Sequence, residues 1–142
     1  MSDPTSLHVL LVEDDDVAAE SVMRSLQRAG ITCPVTWAED GQAALDVLRG
    51  RIPERRAPRP RLILLDLNMP RMNGFEFLEA VRADPKLKDE VIFVLTTSSA
   101  DTDRSRAYNE NVAGYMVKSA VGPQFAKLTH LLDGYRRAVQ LP

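Results

Sequence analysis

Short, almost uninterrupted apolar runs alternate along this chain with longer segments whose apolar residues recur every three or four positions. The clearest runs are 7–12, 62–65 and 91–95, which read LHVLLV, LILL and VIFVL. A strand that is apolar on both sides is typical of a parallel sheet covered on both faces. The intervening segments have the period of amphipathic helices, which can provide that cover. The alternation therefore predicts an α/β protein.

This periodicity predicts ten elements, five strands and five helices in strict alternation. The predicted strands are 7–12, 33–38, 62–65, 91–95 and 114–117. The predicted helices are 17–29, 42–48, 75–82, 101–111 and 123–139. Pro123 suits the first turn of the last helix, because a first-turn residue needs no backbone N–H donor. Strand–helix–strand crossovers are right-handed, so we expect one parallel sheet with helices on both faces.

The composition favours one domain and excludes several classes of protein. A chain of 142 residues with 44% hydrophobic residues can build a core of ordinary size. The formal net charge of −2 gives no reason to expect a nucleic-acid partner or an anionic membrane surface. The single cysteine, Cys33, excludes an intramolecular disulfide, and we expect it in the core. Neither a signal peptide nor a run of about 18 apolar residues is visible, so we expect a cytoplasmic protein.

Residues 51–61 (RIPERRAPRPR) combine three prolines with five arginines. Proline lacks a backbone donor and has a fixed φ, so this composition predicts an exposed loop without regular structure. The arginines could dock an acidic surface of a partner. We favour the simpler interpretation, in which they are solvated.

Polar and ionisable residues follow four of the five predicted strands. They are Glu13, Asp14 and Asp15 after the first strand, Asp66 after the third, Thr96, Thr97 and Ser98 after the fourth, and Lys118 after the fifth. Ligands of open parallel sheets bind beyond the carboxyl ends of the strands, so we expect these groups to converge on one edge. For Asp15 and Asp16 we favour a structural role at the start of the following helix.

Three carboxylates at one edge repel each other unless a cation or protons neutralise them. Mg²⁺ prefers oxygen ligands, and proteins bind it through one or two carboxylates together with phosphate oxygens. A lysine and a threonine hydroxyl beside them would hold an anion. The combination indicates phosphoryl transfer, with Asp66 as the nucleophile and an aspartyl phosphate as the product.

The order and spacing of these residues resemble those of a two-component response regulator receiver domain. The resemblance extends from about residue 7 to about residue 139 and depends on Val12-Glu13-Asp14, Leu65-Asp66-Leu67-Asn68-Met69-Pro70, Asn73-Gly74, Leu95-Thr96 and Val117-Lys118. It implies a flavodoxin-like, doubly wound α/β fold, with five parallel strands in the order 2-1-3-4-5 and five helices. It also implies a bound Mg²⁺, which Mn²⁺ or Ca²⁺ could replace in a crystal.

The resemblance assigns a role to each of these residues. The metal ligands would be Glu13, Asp14, Asp66 and the backbone carbonyl of Asn68. Asp66 would accept the phosphoryl group and Lys118 would bind it. Thr96 would be the switch hydroxyl, with Thr97 as the alternative. Tyr115 would be the aromatic switch residue, which turns inward on phosphorylation.

Several features resemble the stand-alone regulators that pair with bacterial phytochrome kinases. They are the long loop 51–61, the run 95–98 (LTTS), a tail beyond the last helix, and Ser119, which stands where the commonest family pattern has a proline. The family has a cis peptide bond at that proline, and the sequence leaves open whether the bond between Lys118 and Ser119 is cis. The implied partner is a sensor histidine kinase, a bacteriophytochrome. Such relatives are homodimers through the fourth helix, fifth strand, last helix and tail, so residues 136–142 would form a dimer arm or, equally, a frayed helix end.

The resulting hypothesis is a single-domain phosphorylation switch over residues 1–142, which takes its phosphoryl group from a kinase phosphohistidine and turns over no free substrate. Because the chain ends soon after the last helix, we expect its output to be a protein contact, a dimer change or phosphate buffering between kinases. The alternative is a pseudo-receiver that binds partners without phosphorylation. A phosphatase is disfavoured because no insertion is large enough for a substrate pocket. A flavin-binding module is disfavoured because the first loop is acidic and would repel phosphate.

Overall fold

Five parallel strands form one sheet in the computed structural model, which describes residues 7–120 and 125–142, apart from the side chains of Ala120 and Arg136. The strands are β1 (His8–Val12), β2 (Val35–Ala38), β3 (Arg61–Leu65), β4 (Ile92–Thr96) and β5 (Gly114–Val117). Their order across the sheet is β2-β1-β3-β4-β5, and every neighbouring pair is parallel. The predicted fold and strand order are confirmed.

Five helices of the described residues alternate with these strands. They are α1 (Asp16–Arg28), α2 (Gly41–Leu48), α3 (Gly74–Ala83), α4 (Asp101–Asn109) and α5 (Ala126–Ala138). The prediction for α4 was too long, because Asn111 has a left-handed backbone with a φ of 59° and cannot continue the helix. The predicted first-turn residue Pro123 lies outside the described residues.

The apolar runs divide their side chains between two hydrophobic clusters, one on each face of the sheet. On β3, Ile63 and Leu65 belong to the cluster that includes residues of α2 and α3. Leu62 and Leu64 belong to the cluster that includes residues of α1 and α5. All four side chains are fully buried. Burial on both faces explains why residues 62–65 are apolar at every position. The buried strands in turn provide a rigid base for the loops at their carboxyl ends.

The first helix begins with a side-chain cap. The carboxylate of Asp15 accepts hydrogen bonds from the backbone N–H groups of Val17, at 2.9 Å, and Ala18, at 3.4 Å. Asp16 is the first residue of α1 and lies near the positive end of the helix dipole. The structural role favoured for these two aspartates is confirmed.

Helix α4 is the most weakly buried of the helices. Of its nine residues, all of them described, Ala107 alone is buried. The guanidinium of Arg106 lies 4.1 Å from the centre of the Phe75 ring on α3, in a cation–π contact. The helix is thus held at the surface largely by contacts of its exposed side chains.

The arginine-rich loop differs in part from its prediction, because Arg61 begins β3 instead of ending the loop. Its guanidinium pairs with the buried carboxylate of Glu90 at 2.7 Å, and Arg59 pairs with the same carboxylate at 3.1 Å. Arg55 pairs with Glu39 at 2.6 Å. The interpretation that the arginines are solvated is wrong for Arg61, whose side chain is largely buried, whereas Arg55 and Arg59 form their ion pairs at the surface.

Cys33 and the tail residue Leu141 both pack against one of the two hydrophobic clusters. Cys33 precedes β2, is half-buried and packs against the cluster shared with α1 and α5. Leu141, in the tail, packs partly buried against the same cluster, whereas Val139 is exposed.

Among the residues that the structure describes, no helix combines the length and the apolar composition that a membrane span requires.

Candidate functional site

The carboxyl ends of the strands bring an acidic cluster together at one edge of the sheet. Glu13 follows β1 and Asp66 follows β3, which are neighbours with Val12 opposite Leu65. Each of the carboxylates of Glu13, Asp14 and Asp66 offers an oxygen within 4.8 Å of the others. Glu13 and Asp66 are buried, and Asp14 is exposed. The three carboxylates predicted to share a metal site therefore lie close enough to do so.

Lys118 follows β5 and reaches the same cluster. Its ammonium forms an ion pair with Glu13, and its Nζ lies 3.6 Å from Oδ2 of Asp66. Lys118 and Glu13 are separated by 105 positions in the sequence, so the contact is made entirely by the fold. The structure thus brings together four of the predicted site residues.

The proximity of these groups changes their proton affinities. Burial raises the pKa of Glu13 to about 7, and its hydrogen bond to Asp66 adds to the rise, whereas Lys118 opposes it. Burial lowers the pKa of Lys118, but the hydrogen bond to Glu13 and the charges of Asp66 and Glu13 outweigh that effect and leave the pKa above its ordinary value. The ammonium is therefore retained, while the carboxylates carry more negative charge than one lysine neutralises.

The loop that follows β3 wraps around Asp66. The backbone N–H of Asn68 lies 3.4 Å from Oδ1 of Asp66, and the N–H of Gly74 donates to the carbonyl of Leu67 at 3.0 Å. Asn73 then begins α3 with a reciprocal capping box. The loop between β3 and α3 therefore folds back onto Asp66 and Leu67, the first two residues after β3.

A second set of contacts ties this loop to α2, and the sequence did not predict it. The guanidinium of Arg71 pairs with Asp40, whose side chain is buried. Asp40 also caps α2 by accepting the N–H of Ala43 at 2.8 Å, and the N–H of Gly41 donates to the carbonyl of Met72 at 3.0 Å. The only available signal was the capping preference of an aspartate before a helix, which does not name a partner 31 positions away.

Thr96 and Tyr115 lie beside the cluster without contacting it. Thr96 ends β4, is fully buried, and its Oγ1 lies 3.5 Å from the N–H of Ser98. Thr97 is exposed. The hydroxyl of Tyr115 donates to the carbonyl of Ser98 at 3.0 Å, and burial raises the pKa of Tyr115 above its ordinary value. Both candidate switch residues are therefore joined to the same loop between β4 and α4.

The peptide bond that follows Lys118 was left open by the sequence. Among residues 7–120 and 125–142, the cis peptide bond that the structure records is the one between Arg59 and Pro60. Lys118 instead begins a short 3₁₀ turn, Lys118–Ala120. The side chain of Lys118 is therefore presented to the cluster without a cis bond after it.

Comparison with known proteins identifies what this site resembles. The model of the response regulator receiver domain family matches residues 9–130. The probable methanogenesis regulatory protein FilR2 of Methanothrix harundinacea is 41% identical over 110 residues, which cover 78% of this chain and 70% of that protein. The response regulator Rcp1 of Synechocystis is 37% identical over 111 residues, covering 78% and 76% of the two chains.

Solved structures agree with this result over almost the whole chain. The Mn²⁺-bound form of Rcp1 superimposes with a TM-score of 0.81 at 33% identity, covering 96% of this chain and 99% of that one. The phosphorylated cyanobacterial phytochrome response regulator RcpA gives a TM-score of 0.79 at 31% identity, with coverage of 96% and 99%. The likeness in sequence and in structure therefore covers the edge of the sheet where the carboxylates meet.

Proposed function

The chain belongs to the response regulator receiver domain family, and on that premise we propose that Asp66 accepts a phosphoryl group from the phosphohistidine of a sensor histidine kinase. This assignment depends on one observation: Asp66 has both negatively and positively charged groups as neighbours. Its carboxylate lies near two further carboxylates and 3.6 Å from the ammonium of Lys118. This donor set suits both a divalent cation and a phosphoryl group.

The transfer is a displacement at phosphorus. One carboxylate oxygen of Asp66 forms a bond to phosphorus, the bond between phosphorus and the imidazole nitrogen breaks, and the imidazole leaves with the electron pair. The protein contributes mainly position and charge stabilisation, because little covalent chemistry remains for other residues. Burial of Asp66 within its loop limits competing attack by water.

Receiver domains bind a divalent metal, and the residues at this edge fit one. Three carboxylates, those of Glu13, Asp14 and Asp66, each offer an oxygen within 4.8 Å of the others, and oxygen donors of this kind are the ligands that Mg²⁺ prefers. Glu13, Asp14, Asp66 and the backbone carbonyl of Asn68 would hold Mg²⁺. When bound, Mg²⁺ supplies positive charge to the oxygens of the phosphoryl group.

Lys118 and the two switch residues have separate tasks in this proposal. The ammonium of Lys118 leaves Glu13 and binds an oxygen of the new phosphoryl group, which adds roughly −1.5 to −2 charges at neutral pH. Thr96 donates its hydroxyl to another phosphoryl oxygen. Because Tyr115 holds the carbonyl of Ser98, a movement of that loop changes the surface formed by α4 and β5.

The partner and the assembly belong to the same proposal. The kinase is a bacteriophytochrome, and the likeness to RcpA, a cyanobacterial phytochrome response regulator, supports a partner of the phytochrome class. Two chains associate through α4, β5, α5 and the tail 136–142. Two exposed large hydrophobic side chains support this face: Tyr108 on α4 is 48% exposed, and Val139 after α5 is 41% exposed.

The test is phosphorylation by acetyl phosphate, followed by intact mass and light scattering. We expect a gain of one phosphoryl group with Mg²⁺, no gain when EDTA removes the metal, and release by hydroxylamine, which cleaves acyl phosphates. Light scattering on the same samples shows whether the chain is a dimer and how phosphate changes it. If neither acetyl phosphate nor a phosphorylated histidine kinase labels the protein, the pseudo-receiver alternative is correct.

The affinity for Mg²⁺ should rise with pH between 6 and 8. A metal ligand must be deprotonated, and the pKa of Glu13 is raised from its ordinary value of 4.5 to about 7. Calorimetric titration should show binding about tenfold tighter at pH 8 than at pH 6. The stability of the metal-free protein should change with pH in the opposite direction. Glu13 contributes to the free energy of unfolding below pH 4.5, and that contribution is lost as the pH rises to about 7.

The matched control for this titration is Glu13→Gln. The variant should bind Mg²⁺ weakly and with little dependence on pH, because the titrating ligand is gone. A parent protein whose affinity stays constant from pH 6 to pH 8 would show that Glu13 does not release a proton to the metal.

A further inference from the structure

Strand β2 holds both backbone polar groups of Glu13. The N–H of Glu13 donates to the carbonyl of Ala38 at 3.0 Å. The indole Nε1–H of Trp37 donates to the carbonyl of Glu13 at 2.7 Å. On the other side of the acidic pair, Asp15 is fixed as the cap of α1. The backbone on both sides of Glu13 and Asp14 is therefore held in place. Among the described residues, Trp37 is the one whose side chain forms a hydrogen bond to the backbone of this pair.

The carbonyl that Trp37 binds belongs to the peptide unit between Glu13 and Asp14. A peptide unit is planar and moves as one body, so a hydrogen bond at its oxygen restricts the directions of the bonds to both α-carbons. The restraint on this peptide unit matters most for Asp14. Its side chain is exposed, and its carboxylate receives no hydrogen bond from any residue in the described part of the chain. Its orientation toward the cluster depends on its backbone.

Trp37 also has a packing role that must be separated from the hydrogen bond. Its ring is half-buried and packs against the cluster shared with α1 and α5, opposite Leu11 of β1 in the sheet register. Packing alone would require an aromatic ring here, but not an indole N–H aimed at this carbonyl. A change that removes the N–H and keeps the ring therefore isolates the contact.

Building on the proposed metal site, we propose that Trp37 is a positioning residue for it. The indole N–H sets the plane of the Glu13–Asp14 peptide and thereby the convergence of the two carboxylates on the cation. Groups that orient metal ligands in this way change metal affinity by about 10- to 100-fold when they are removed.

The test compares Mn²⁺ binding by the parent, Trp37→Phe and Thr36→Val, with free Mn²⁺ measured by its EPR signal. Thr36 is the matched control, because its hydroxyl donates to the carbonyl of Arg56 at the same 2.7 Å from the same strand, away from the acidic pair. We expect Trp37→Phe to weaken Mn²⁺ binding about 10-fold or more. Thr36→Val should leave the affinity unchanged, although both variants lower the melting temperature measured in EDTA.

The outcomes separate this inference from the proposed function. If the parent does not bind Mn²⁺, the metal site itself is refuted and the role of Trp37 with it. If the parent binds and Trp37→Phe binds within twofold of it, the metal site stands and the inference is wrong. Should Trp37→Phe fail to fold, the chain's single tryptophan can be replaced biosynthetically by β-benzothienylalanine, in which sulfur replaces the N–H, and the same comparison applies.

Discussion

Asp66→Asn should abolish phosphorylation by acetyl phosphate while leaving the protein folded. The amide oxygen of asparagine is a poor nucleophile, so no acyl phosphate should form and the mass should stay that of the unmodified chain in the presence of Mg²⁺. Removal of one negative charge from beside Glu13 and Asp14 also relieves repulsion. The metal-free variant should therefore unfold at a urea concentration equal to or higher than that of the parent.

The matched control for this prediction is Asp46→Asn on α2, whose carboxylate pairs with the exposed Arg51 at 3.5 Å. It makes the same chemical change outside the carboxylate cluster and should accept phosphate as the parent does. An adduct in Asp66→Asn that forms at the parent rate, with peptide mapping on Glu13 or Asp14, would show that the nucleophile has been wrongly assigned.

Gly74→Ala should damage both the stability of the protein and its phosphorylation. A methyl group at this position would lie 2.6 Å from the carbonyl oxygen of Asp66 and 2.6 Å from the α-carbon of Leu67. Both are backbone atoms, which cannot rotate away as the end of a long side chain can. We expect a loss of about 1–3 kcal/mol in the free energy of unfolding. Displacement of Asp66 should slow adduct formation by about 100-fold.

Gly134→Ala provides the comparison, because it makes the same substitution inside α5, where the added methyl group would meet no described atom within 4 Å apart from its chain neighbours and the nearby backbone of its own helix. Alanine favours a helix over glycine, so this variant should gain about 0.5–1 kcal/mol and keep the parent rate of phosphorylation. Urea unfolding and the time course of the mass gain measure both quantities. Equal stability and equal rate for Gly74→Ala and the parent would show that the loop can move away from the methyl group without affecting Asp66.

The fold was predictable because its signals are local. Runs such as 62–65 are apolar at every position, and burial on both faces of a parallel sheet is the ordinary cause of that pattern. The family resemblance added the strand order and the grouping of Glu13, Asp66 and Lys118 at one edge. Element boundaries were less accurate, as at Asn111, where a single left-handed residue shortened α4.

The contacts that support the site could not be read from the sequence. Arg71 meets Asp40 and Trp37 meets Glu13 across 31 and 24 positions. Arginine, tryptophan and aspartate form hydrogen bonds with many kinds of partner, so the residue types alone do not identify these pairs. The pairing of Lys118 with Glu13 was missed for a different reason. The family resemblance assigned Lys118 to the phosphoryl group and Glu13 to the metal, so the two were not expected to contact each other. In the structure the two opposite charges form an ion pair with each other.

The sparse burial of α4 has a consequence for how far a signal at Asp66 can travel. Shifting a helix costs the apolar contacts that it gives up, at about 25 cal/mol for each Å² of apolar surface exposed. Helix α4 would give up the burial of one alanine, Ala107, and the contact of Arg106 with Phe75, whereas α3 would give up Phe77, Leu78 and Val81 among others. A coupling energy of about 1–3 kcal/mol is typical of allosteric proteins. An energy of this size can reposition α4 but is too small to disturb α3. We therefore expect phosphorylation to move α4, the helix whose displacement loses the least packing energy.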